Sequence, residues 1–346
     1  MIPARRIRID RPGNYDVLRL EAFAVGAPGP GQVLIEVQAI GVNYADGIIR
    51  MGLYESAKKL HGYPITPGFE VSGRVLAVGT SVSRFRAGDE VLALTLFDGY
   101  SSHLLVDQDR VFGKPVALPF DQAAAIPTVF LTAWFMVHEL TRTRAGERWL
   151  VHSAAGGVGT ALAQLGRLAG CEVTGVVGHP DKAAAARAAG CTRVIDRQSG
   201  DLWRRVEAIS PGGFDAIFDA NGVSTLRQSY RHLAPTGRLF VYGFASMLPK
   251  GRGTPNWPRI AWAWLRTPRF SPLDMTRSNR SVIACNLSFL SAEGPRLARG
   301  MEWLLAGFAS GQLLPPPVTG YPLADAARAQ AALESGRTIG KVILRP

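Results

Sequence analysis

A glycine-rich turn between an apolar stretch and an Ala- and Leu-rich stretch constrains the fold of this chain more than any other feature. Trp149–Ser153 is predicted to be a short buried strand, and residues 156, 157 and 159 after it are all glycine. Glycine lets the backbone turn sharply and approach a pyrophosphate, whose charge then lies at the N-terminus of the next helix. A second strand, 171–178, follows, and this context predicts a dinucleotide site. The predicted binding residues of the turn are Ala155, Gly156, Gly157 and Val158.

The composition is that of a globular protein. A length of 346 residues allows two domains of ordinary size, and 47% of the residues are hydrophobic. No apolar run is expected to be long enough to span a bilayer, and no signal peptide is expected. Cysteines occur only at 171, 191 and 285, too few and too scattered for a disulfide framework or a four-cysteine zinc site. We therefore expect a cytoplasmic protein.

The net charge of +12 would attract phosphates, nucleic acid or acidic lipid headgroups. Because the charges are spread along the chain, we favour arginines on solvated faces over a single binding patch. A contact with a membrane surface or with RNA stays an open alternative.

The pattern of elements changes near residue 123. Residues 5–125 are rich in Val, Ile and Gly with Pro-Gly punctuation, which predicts a mostly β domain. Later residues alternate between strands and helices, which predicts a parallel, doubly wound sheet and an α/β fold class. The predicted strands are Trp149–Ser153, Val173–Val177, Arg193–Asp196, Phe214–Asp219 and Arg238–Tyr242. The intervening helices are predicted to begin near Gly157, Pro180, Ser199 and Ser224.

The remaining segments complete a division into two domains. A strand at 281–289 is expected to extend the parallel sheet, and a helix and closing strand after Leu323 are expected to return to the first domain. We predict a first domain of residues 1–125 and 291–346, and a second of 126–290 with an insertion at 246–280.

The predicted insertion, 246–280, mixes tryptophan with cations. It holds Trp257, Trp262 and Trp264 among Lys250, Arg252, Arg259, Arg266, Arg269, Arg277 and Arg280. Such a segment suits a lid over the active site, a membrane-surface helix or a nucleic-acid contact. It also suits a helical insertion that packs its tryptophans against the body and turns its arginines to water. We favour the packed insertion or the lid over a binding surface.

Motifs along nearly the whole chain resemble one enzyme family. They are GVNYADGIIRMGLY (41–54), PITPGFEVSGRVLAVG (64–79), FRAGDEV (85–91), AAAIPTVFLTAW (123–134) and IGKVIL (339–344). The chain resembles the zinc-independent quinone oxidoreductase branch of the medium-chain dehydrogenases/reductases. VYGFASMLP, a long insertion and SNRSV resemble its subgroup of synaptic vesicle membrane protein VAT-1. The resemblance implies a GroES-like catalytic domain, a Rossmann domain and hydride transfer from NADPH to a quinone or enone, and we expect a homodimer.

Zinc chemistry is not expected from the residues present. Zinc-dependent relatives place a ligand Cys where this chain has Asn43 and a ligand His where it has Phe69, and a phenyl ring cannot bind a metal. Glu70 keeps the family pattern and is interpreted as a structural hydrogen-bond acceptor. The predictions therefore include no metal site.

The residues after the second Rossmann strand favour NADPH over NADH. NAD-specific sites place an acidic residue there to bind the ribose 2′-hydroxyl, whereas this chain has Gly178, followed by Lys182. Asp181 is interpreted as part of the helix start. Arg197, after the third strand, departs from the family's usual Tyr and can bind the 2′-phosphate or stack on adenine.

The family resemblance also implies the catalytic residues. Asn43, Tyr44 and Tyr54 lie in the segment that lines the catalytic cleft, where amide and phenol donors stabilise an oxyanion and a Tyr can deliver a proton. Core packing of each Tyr is the alternative. The remaining predicted cofactor contacts are Thr132, Asn221, Gly243, Phe244 and Lys341.

Three functions remain open at this stage. The first is an NADPH-dependent reductase of quinones or enones. The second is an enoyl reductase of a biosynthetic pathway, in which the insertion shapes the pocket for a large acyl substrate. The third is a cofactor-binding protein that acts through membrane or nucleic-acid association. The sequence does not name the acceptor, because acceptor choice depends on pocket shape.

Overall fold

The computed structural model describes residues 1–248, 253–290 and 292–346. Two compact units divide the chain. Unit 1 comprises Met1–Leu131, Lys250–Thr254 and Leu287–Pro346, and unit 2 comprises Thr132–Pro249 and Pro255–Asn286. Lys250 and Arg252 of the predicted insertion, and residue 291 at the predicted domain boundary, lie outside the described residues.

The helices and strands follow one another in three stretches. Up to residue 123 they are β1 (Ile2–Arg8), β2 (Arg19–Val25), β3 (Gln32–Val42), α1 (Tyr44–Arg50), α2 (Glu55–Leu60), β4 (Glu70–Val78), β5 (Glu90–Leu94), β6 (His103–Asp107), β7 (Val111–Gly113) and α3 (Phe120–Ala123). The middle stretch holds α4 (Pro127–Trp134), β8 (Arg148–His152), α5 (Gly157–Leu168), β9 (Glu172–Val177), α6 (Ala183–Ala188), β10 (Arg193–Asp196), α7 (Leu202–Ile209), β11 (Phe214–Asp219), α8 (Leu226–Arg231), β12 (Leu233–Val241), α9 (Trp257–Leu265), α10 (Pro272–Ser278) and β13 (Ser281–Ala284). The last stretch holds α11 (Gly294–Ala309), β14 (Val318–Pro322), α12 (Ala326–Glu334) and β15 (Lys341–Arg345).

Unit 2 contains a parallel sheet in the order β10-β9-β8-β11-β12-β13. Its first strand in sequence, β8, lies inside the sheet, and the strand order reverses beside it, as in dinucleotide-binding folds. Both faces of such a sheet are covered, which accounts for the buried apolar residues in the middle of its strands. Trp149, Phe218 and Phe240 form its centre, with the two phenyl rings stacked 4.7 Å apart. The predicted α/β Rossmann fold is confirmed.

Unit 1 is built on a mostly antiparallel sheet in the order β14-β15-β3-β4-β5-β7, with β6 on the other part of β3. The closing strand β15 pairs antiparallel with β3, Ile343 opposite Gly41. Alternate apolar residues of β3 and β4, among them Ile35, Val71 and Val75, form the core with α12 against them. The pairing of β15 with β3 places the tail in unit 1, and the predicted mostly β domain is confirmed.

Three predicted elements differ at their ends. The strand predicted over 281–289 stops at Ala284, and a 3₁₀ turn occupies Leu287–Leu290. The helix predicted near Ser199 begins at Leu202, because the Asp201 carboxylate accepts hydrogen bonds from two N–H groups of the first turn. The helix predicted near Ser224 likewise begins later, at Leu226.

The prediction that no apolar run could span a bilayer is wrong by length and composition. The largely helical stretch Phe120–Glu139, 20 residues long, is apolar enough to cross a membrane. However, 72% of its apolar window is buried inside the protein, which is the environment of a core helix. Among its buried side chains is Phe130, which packs edge-on against Phe308.

The alternative that the insertion packs its tryptophans against the body is also wrong. The tryptophans of α9 are largely exposed: Trp257 (62%), Trp262 (62%) and Trp264 (66%). Apolar residues surround most of this short helix, and only Ile260 and Ala263 of it are partly buried, so its indole rings stay exposed. The lid and the surface contact therefore remain as proposals.

Candidate functional site

The glycine turn joins β8 to α5 as predicted from the sequence. Gly156 caps the helix with extended backbone and no side-chain hydrogen bond to the helix N–H groups. Gly159 is the position that tolerates no side chain, since an added Cβ would lie 2.3 Å from the carbonyl oxygen of Ser153. The uncapped N-terminus of this helix can therefore receive an anion, and the adjacent backbone is accessible to it.

Asp219, which sequence reasoning missed, organises the end of β11. It is fully buried, and its Oδ1 accepts hydrogen bonds from the N–H groups of Asn221 and Gly222 and from the Thr225 hydroxyl. This fixes the turn that carries the predicted Asn221, whose Oδ1 lies 3.4 Å from the Ser153 hydroxyl. A signal was available in the sequence, since a carboxylate at a strand end before Asn-Gly is a typical turn anchor.

His152 and the predicted cofactor contact Gly243 both have structural explanations. His152 Nε2 contacts the Ser229 hydroxyl at 3.1 Å, and Ser229 donates to Asp219. Burial lowers the pKa of His152, although the Asp219 carboxylate opposes the shift, so the imidazole is a neutral part of the core. At Gly243 an added Cβ would lie 2.8 Å from the carbonyl oxygen of Ala220, so a side chain is excluded at this strand end.

At the end of β9, Gly178 stands where NAD-specific sites place an acidic residue. The exposed Arg197 lies beside Gly178, with Nε 3.9 Å from the place where a Cβ of Gly178 would stand. Gln198, which sequence reasoning missed, donates from Nε2 to the carbonyl oxygen of Gly178 at 2.6 Å. Asp181 contacts His179 at 3.1 Å, in agreement with a role at the start of the next helix. Lys182 ends the 3₁₀ turn before α6 and is half-buried.

Two further predicted cofactor residues lie in unit 2. Thr132 is half-buried on α4, and Phe244, after β12, is 44% exposed. The Phe244 backbone and ring leave no room for a side chain at Gly222, because an added Cβ there would lie 2.7 Å from the ring. Phe244 therefore covers the Asn221–Gly222 turn.

A buried polar cluster in unit 1 holds Asn43. Its Nδ2 donates to Glu70 Oε1 at 2.8 Å, and its Oδ1 accepts from Lys341 Nζ at 2.5 Å. Lys341 Nζ also lies 2.5 Å from Glu70 Oε1, and Glu70 Oε2 accepts from the N–H of Thr128 at 2.7 Å. The amide of Asn43 is thus held at both ends. Lys341, predicted to contact the cofactor, is only 3% exposed and binds this cluster.

Asp46 anchors the same segment. Its Oδ2 accepts from the backbone N–H of Asn43 at 2.7 Å and from the Tyr100 hydroxyl at 2.9 Å. Burial raises the pKa of Asp46 to about 7, and these two hydrogen bonds oppose the shift. Within the described residues its Oδ1 has no hydrogen-bond partner, which suits a protonated oxygen.

The two predicted catalytic tyrosines differ in surroundings. Burial, with the nearby Glu334 carboxylate, raises the pKa of Tyr44 to about 12. The hydroxyl of Tyr54 lies 2.7 Å from the Ser288 hydroxyl, and its ring packs edge-on against Phe69. The Tyr54 ring thus packs on Phe69, which precedes Glu70 in the chain.

The donor set around Asn43 does not suit zinc. Phe69 is buried and packs between the rings of Tyr54 and Phe97. The residues described contain no group of three or more His, Cys, Asp or Glu side chains that could hold a metal ion. The Lys341 ammonium lies between Asn43 and Glu70, and its positive charge disfavours a cation at the same place.

Known protein families and relatives match this chain over almost its full length. Residues 29–119 match the alcohol dehydrogenase GroES-like domain, and residues 157–287 match the zinc-binding dehydrogenase family. The synaptic vesicle membrane protein VAT-1 homologue of Rattus norvegicus is 33% identical over 99% of this chain and 84% of its own.

Two solved oxidoreductase structures are also similar to this chain over almost its whole length. The Escherichia coli quinone oxidoreductase complexed with NADPH superposes with a TM-score of 0.85 at 28% identity, covering 99% of this chain and 100% of that one. The CurK enoyl reductase superposes with a TM-score of 0.84 at 26% identity, covering 99% of both chains.

Proposed function

We propose, since the chain belongs to the zinc-independent quinone oxidoreductase branch of the medium-chain dehydrogenases/reductases, that it transfers a hydride from NADPH to a quinone or an enone. The observation that carries the proposal is the β8–α5 turn, where Gly159 leaves the backbone bare at an uncapped helix N-terminus. That geometry receives a pyrophosphate. When bound, NADPH supplies the hydride, and the protein orients the acceptor and stabilises developing charge.

The preference for NADPH is supported by the corner at Gly178. The exposed guanidinium of Arg197 lies beside it, and a 2′-phosphate accepts hydrogen bonds from such a group. Asp181, the nearby acid, contacts His179 instead of standing at the strand end. The structure of the Escherichia coli quinone oxidoreductase relative contains NADPH. We therefore assign the 2′-phosphate to the side of the turn that carries Arg197.

Charge developing on the acceptor oxygen needs a donor that is already oriented. Asn43 supplies one N–H of its Nδ2 to Glu70, and Lys341 holds its Oδ1, so the second N–H has a fixed direction. A donor held in place before reaction pays little reorganisation cost as charge develops. We propose Asn43 as this donor and Lys341 with Glu70 as the residues that position it.

After the hydride arrives, the acceptor needs a proton, and a neutral phenol can supply it. With its pKa raised to about 12, Tyr44 stays protonated at neutral pH. Tyr54, whose hydroxyl contacts the Ser288 hydroxyl, has a partner that can replace its proton. We propose Tyr54 as the proton donor and Tyr44 as a contributor to the wall of the site.

An enoyl reductase of a biosynthetic pathway is the second candidate. The likeness to the CurK enoyl reductase favours it. The acceptor would then be an unsaturated acyl thioester, and the insertion around α9 would shape the pocket. Comparing turnover on quinones, simple enones and enoyl thioesters of increasing chain length distinguishes the two candidates.

The nucleotide half of the proposal is tested by changing one glycine. Gly159→Ala places a Cβ against the Ser153 carbonyl, so NADPH affinity should fall by about tenfold or more, or ~1.4 kcal/mol. Gly113→Ala is the matched control, because nothing lies within 4 Å of its added Cβ. Equal NADPH affinity of both folded variants would contradict the assignment. If the wild-type protein oxidises no NADPH with quinones, enones or enoyl thioesters, the proposed function is contradicted.

Location and assembly complete the proposal. We propose a homodimer that acts in the cytoplasm on a small-molecule acceptor. The exposed tryptophans of α9 keep membrane or RNA association as an alternative role of the insertion. Salt-dependent binding to liposomes or RNA without reductase turnover would favour that alternative, and light scattering would give the oligomeric state.

A further inference from the structure

A pocket of about 330 Å³ lies on unit 2 between α8 and the segment that joins α9 to α10. Its walls, among the described residues, include the side chains of four arginines and one acid, Asp274. The arginines are Arg227, Arg231, Arg269 and Arg280. None of these residues belongs to the glycine turn or to the corner at Arg197.

The positive charge of this pocket exceeds its negative charge, because Asp274 is the one acid among its described lining residues. In the part of the chain that the structure describes, none of its arginines forms an ion pair, whereas Arg148 and Arg238 of the same unit pair with carboxylates. Arg227 and Arg231 are exposed one helical turn apart on α8. Like charges at this spacing disfavour the helix, so an anion between them would stabilise it.

Aromatic residues fix the pocket walls to one another. Tyr230 on α8 packs against Phe270 with ring centroids 5.1 Å apart, and its hydroxyl lies 3.3 Å from the Ser278 hydroxyl on α10. The Arg280 guanidinium lies 5.7 Å from the Tyr230 ring centroid. Its Nε is buried without a hydrogen-bond partner among the described residues, which leaves a donor unsatisfied.

We propose that this pocket binds a phosphate group, carried either by a soluble phosphate ester or by a lipid headgroup. A tetrahedral oxyanion offers acceptors in several directions, which matches guanidinium forks arriving from α8 and from the α9–α10 segment. The rings of Tyr230 and Phe270 provide an apolar wall for the organic part of the ligand. This site is separate from the proposed hydride transfer and does not depend on it.

The test compares two double variants with equal loss of charge. Arg227→Gln with Arg231→Gln removes the α8 side of the pocket. Arg187→Gln with Arg204→Gln is the control, since these arginines are exposed on other helices of unit 2. Pyrophosphate binding is measured by calorimetry on full-length protein saturated with NADPH, and again without NADPH. Flotation with phosphatidylcholine vesicles, with and without phosphatidic acid, forms the second arm.

The expected result is a loss of affinity of about tenfold or more in the pocket variant and little change in the control. Weakened binding of pyrophosphate identifies a soluble ester as the source, and weakened binding of phosphatidic acid vesicles alone identifies a lipid headgroup. Equal weakening in both double variants would overturn the proposal, because it would reflect net charge only. No binding in either arm, or binding that NADPH abolishes, would also overturn it.

As a second variant, Arg269→Gln changes the opposite wall at an exposed position. It should weaken the same ligand by a similar factor if both walls contact one phosphate. Wild-type affinity in this variant would overturn the two-walled site. The variants are compared by binding alone, so absence of reductase activity would count against the proposed function and not against the pocket.

Discussion

Replacing Lys341 by Met should destabilise unit 1 strongly. The Lys341 ammonium lies 2.5 Å from Glu70 Oε1 and from Asn43 Oδ1, and the Glu70 carboxylate has no exposed surface. The variant leaves that carboxylate buried without its cation. Its remaining donors are the Asn43 amide and the N–H of Thr128, which are neutral.

The expected loss in the free energy of unfolding follows from the burial of Glu70. Removing one partner of a buried ion pair costs about 3–5 kcal/mol in free energy of unfolding. Lys59→Met is the matched control, because Lys59 pairs with Glu55 at the surface, 3.2 Å apart. An exposed pair of this kind contributes about 0.3–0.5 kcal/mol. The two lysine changes should therefore differ by about 2.5 kcal/mol or more.

The free energy of unfolding is measured by urea unfolding of four proteins. They are the wild type, Lys341→Met, Glu70→Gln and the double variant. The double variant should lose less stability than the sum of the single variants, by about 1–3 kcal/mol, because no unpaired charge remains buried. A loss below about 1 kcal/mol in Lys341→Met, or strict additivity, would refute a buried ion pair at this position.

The remaining predictions concern pH, cofactor, metal and the insertion. The raised pKa of Asp46 means that the folded protein retains its proton while the unfolded chain loses it, so the free energy of unfolding should fall from about pH 4 to pH 7, by roughly 4 kcal/mol. Asp46→Asn should remove that slope in pH-dependent urea unfolding, and an unchanged slope would contradict the assignment. Arg197→Ala should weaken NADPH by about tenfold and leave NADH unchanged in fluorescence titrations, and an equal loss for both would argue against a 2′-phosphate contact. Prolonged chelation should leave turnover unaltered, and stoichiometric zinc in active protein by elemental analysis would contradict a zinc-free site. Deletion of residues 257–269 should leave a folded protein that binds NADPH but changes its acceptor preference, because α9 exposes most of its apolar surface. Failure of that deletion to fold would show that α9 belongs to a core.

The fold was largely predictable because the glycine turn and the alternation of strands and helices along the chain both indicate the same parallel sheet. Gly159 lies in the turn, and strands alternate with helices after it, so a parallel sheet was open to prediction. Helix ends were less predictable. The helix after β10 begins at Leu202 because Asp201 rather than Ser199 caps it, and several polar residues before a helix offer equivalent caps to sequence reasoning.

The sequence was sufficient to identify several residues of the candidate site, but not to show which of them contact one another. Asn43 and Lys341 were both identified, yet their contact joins positions almost 300 residues apart, and the sequence pattern places Lys341 with the cofactor instead. Asp219 and Gln198 were missed because each acts on backbone atoms of a turn, which leaves no periodic signal. The exposed α9 was missed because an apolar helix in a soluble protein ordinarily packs on more than one side.

The pairing of β15 with β3 has a consequence for synthesis on the ribosome. Val342 lies opposite Val42, so this part of the sheet forms only when a strand made 300 residues later arrives. At translation rates of about 5–20 residues per second, the edge of β3 that β15 covers waits for roughly 15–60 s. During that interval the apolar strand offers unpaired backbone groups to any other nascent chain. A chaperone that shields β3 should therefore raise the yield of this protein more than one that shields the parallel sheet, whose neighbouring strands are close in sequence.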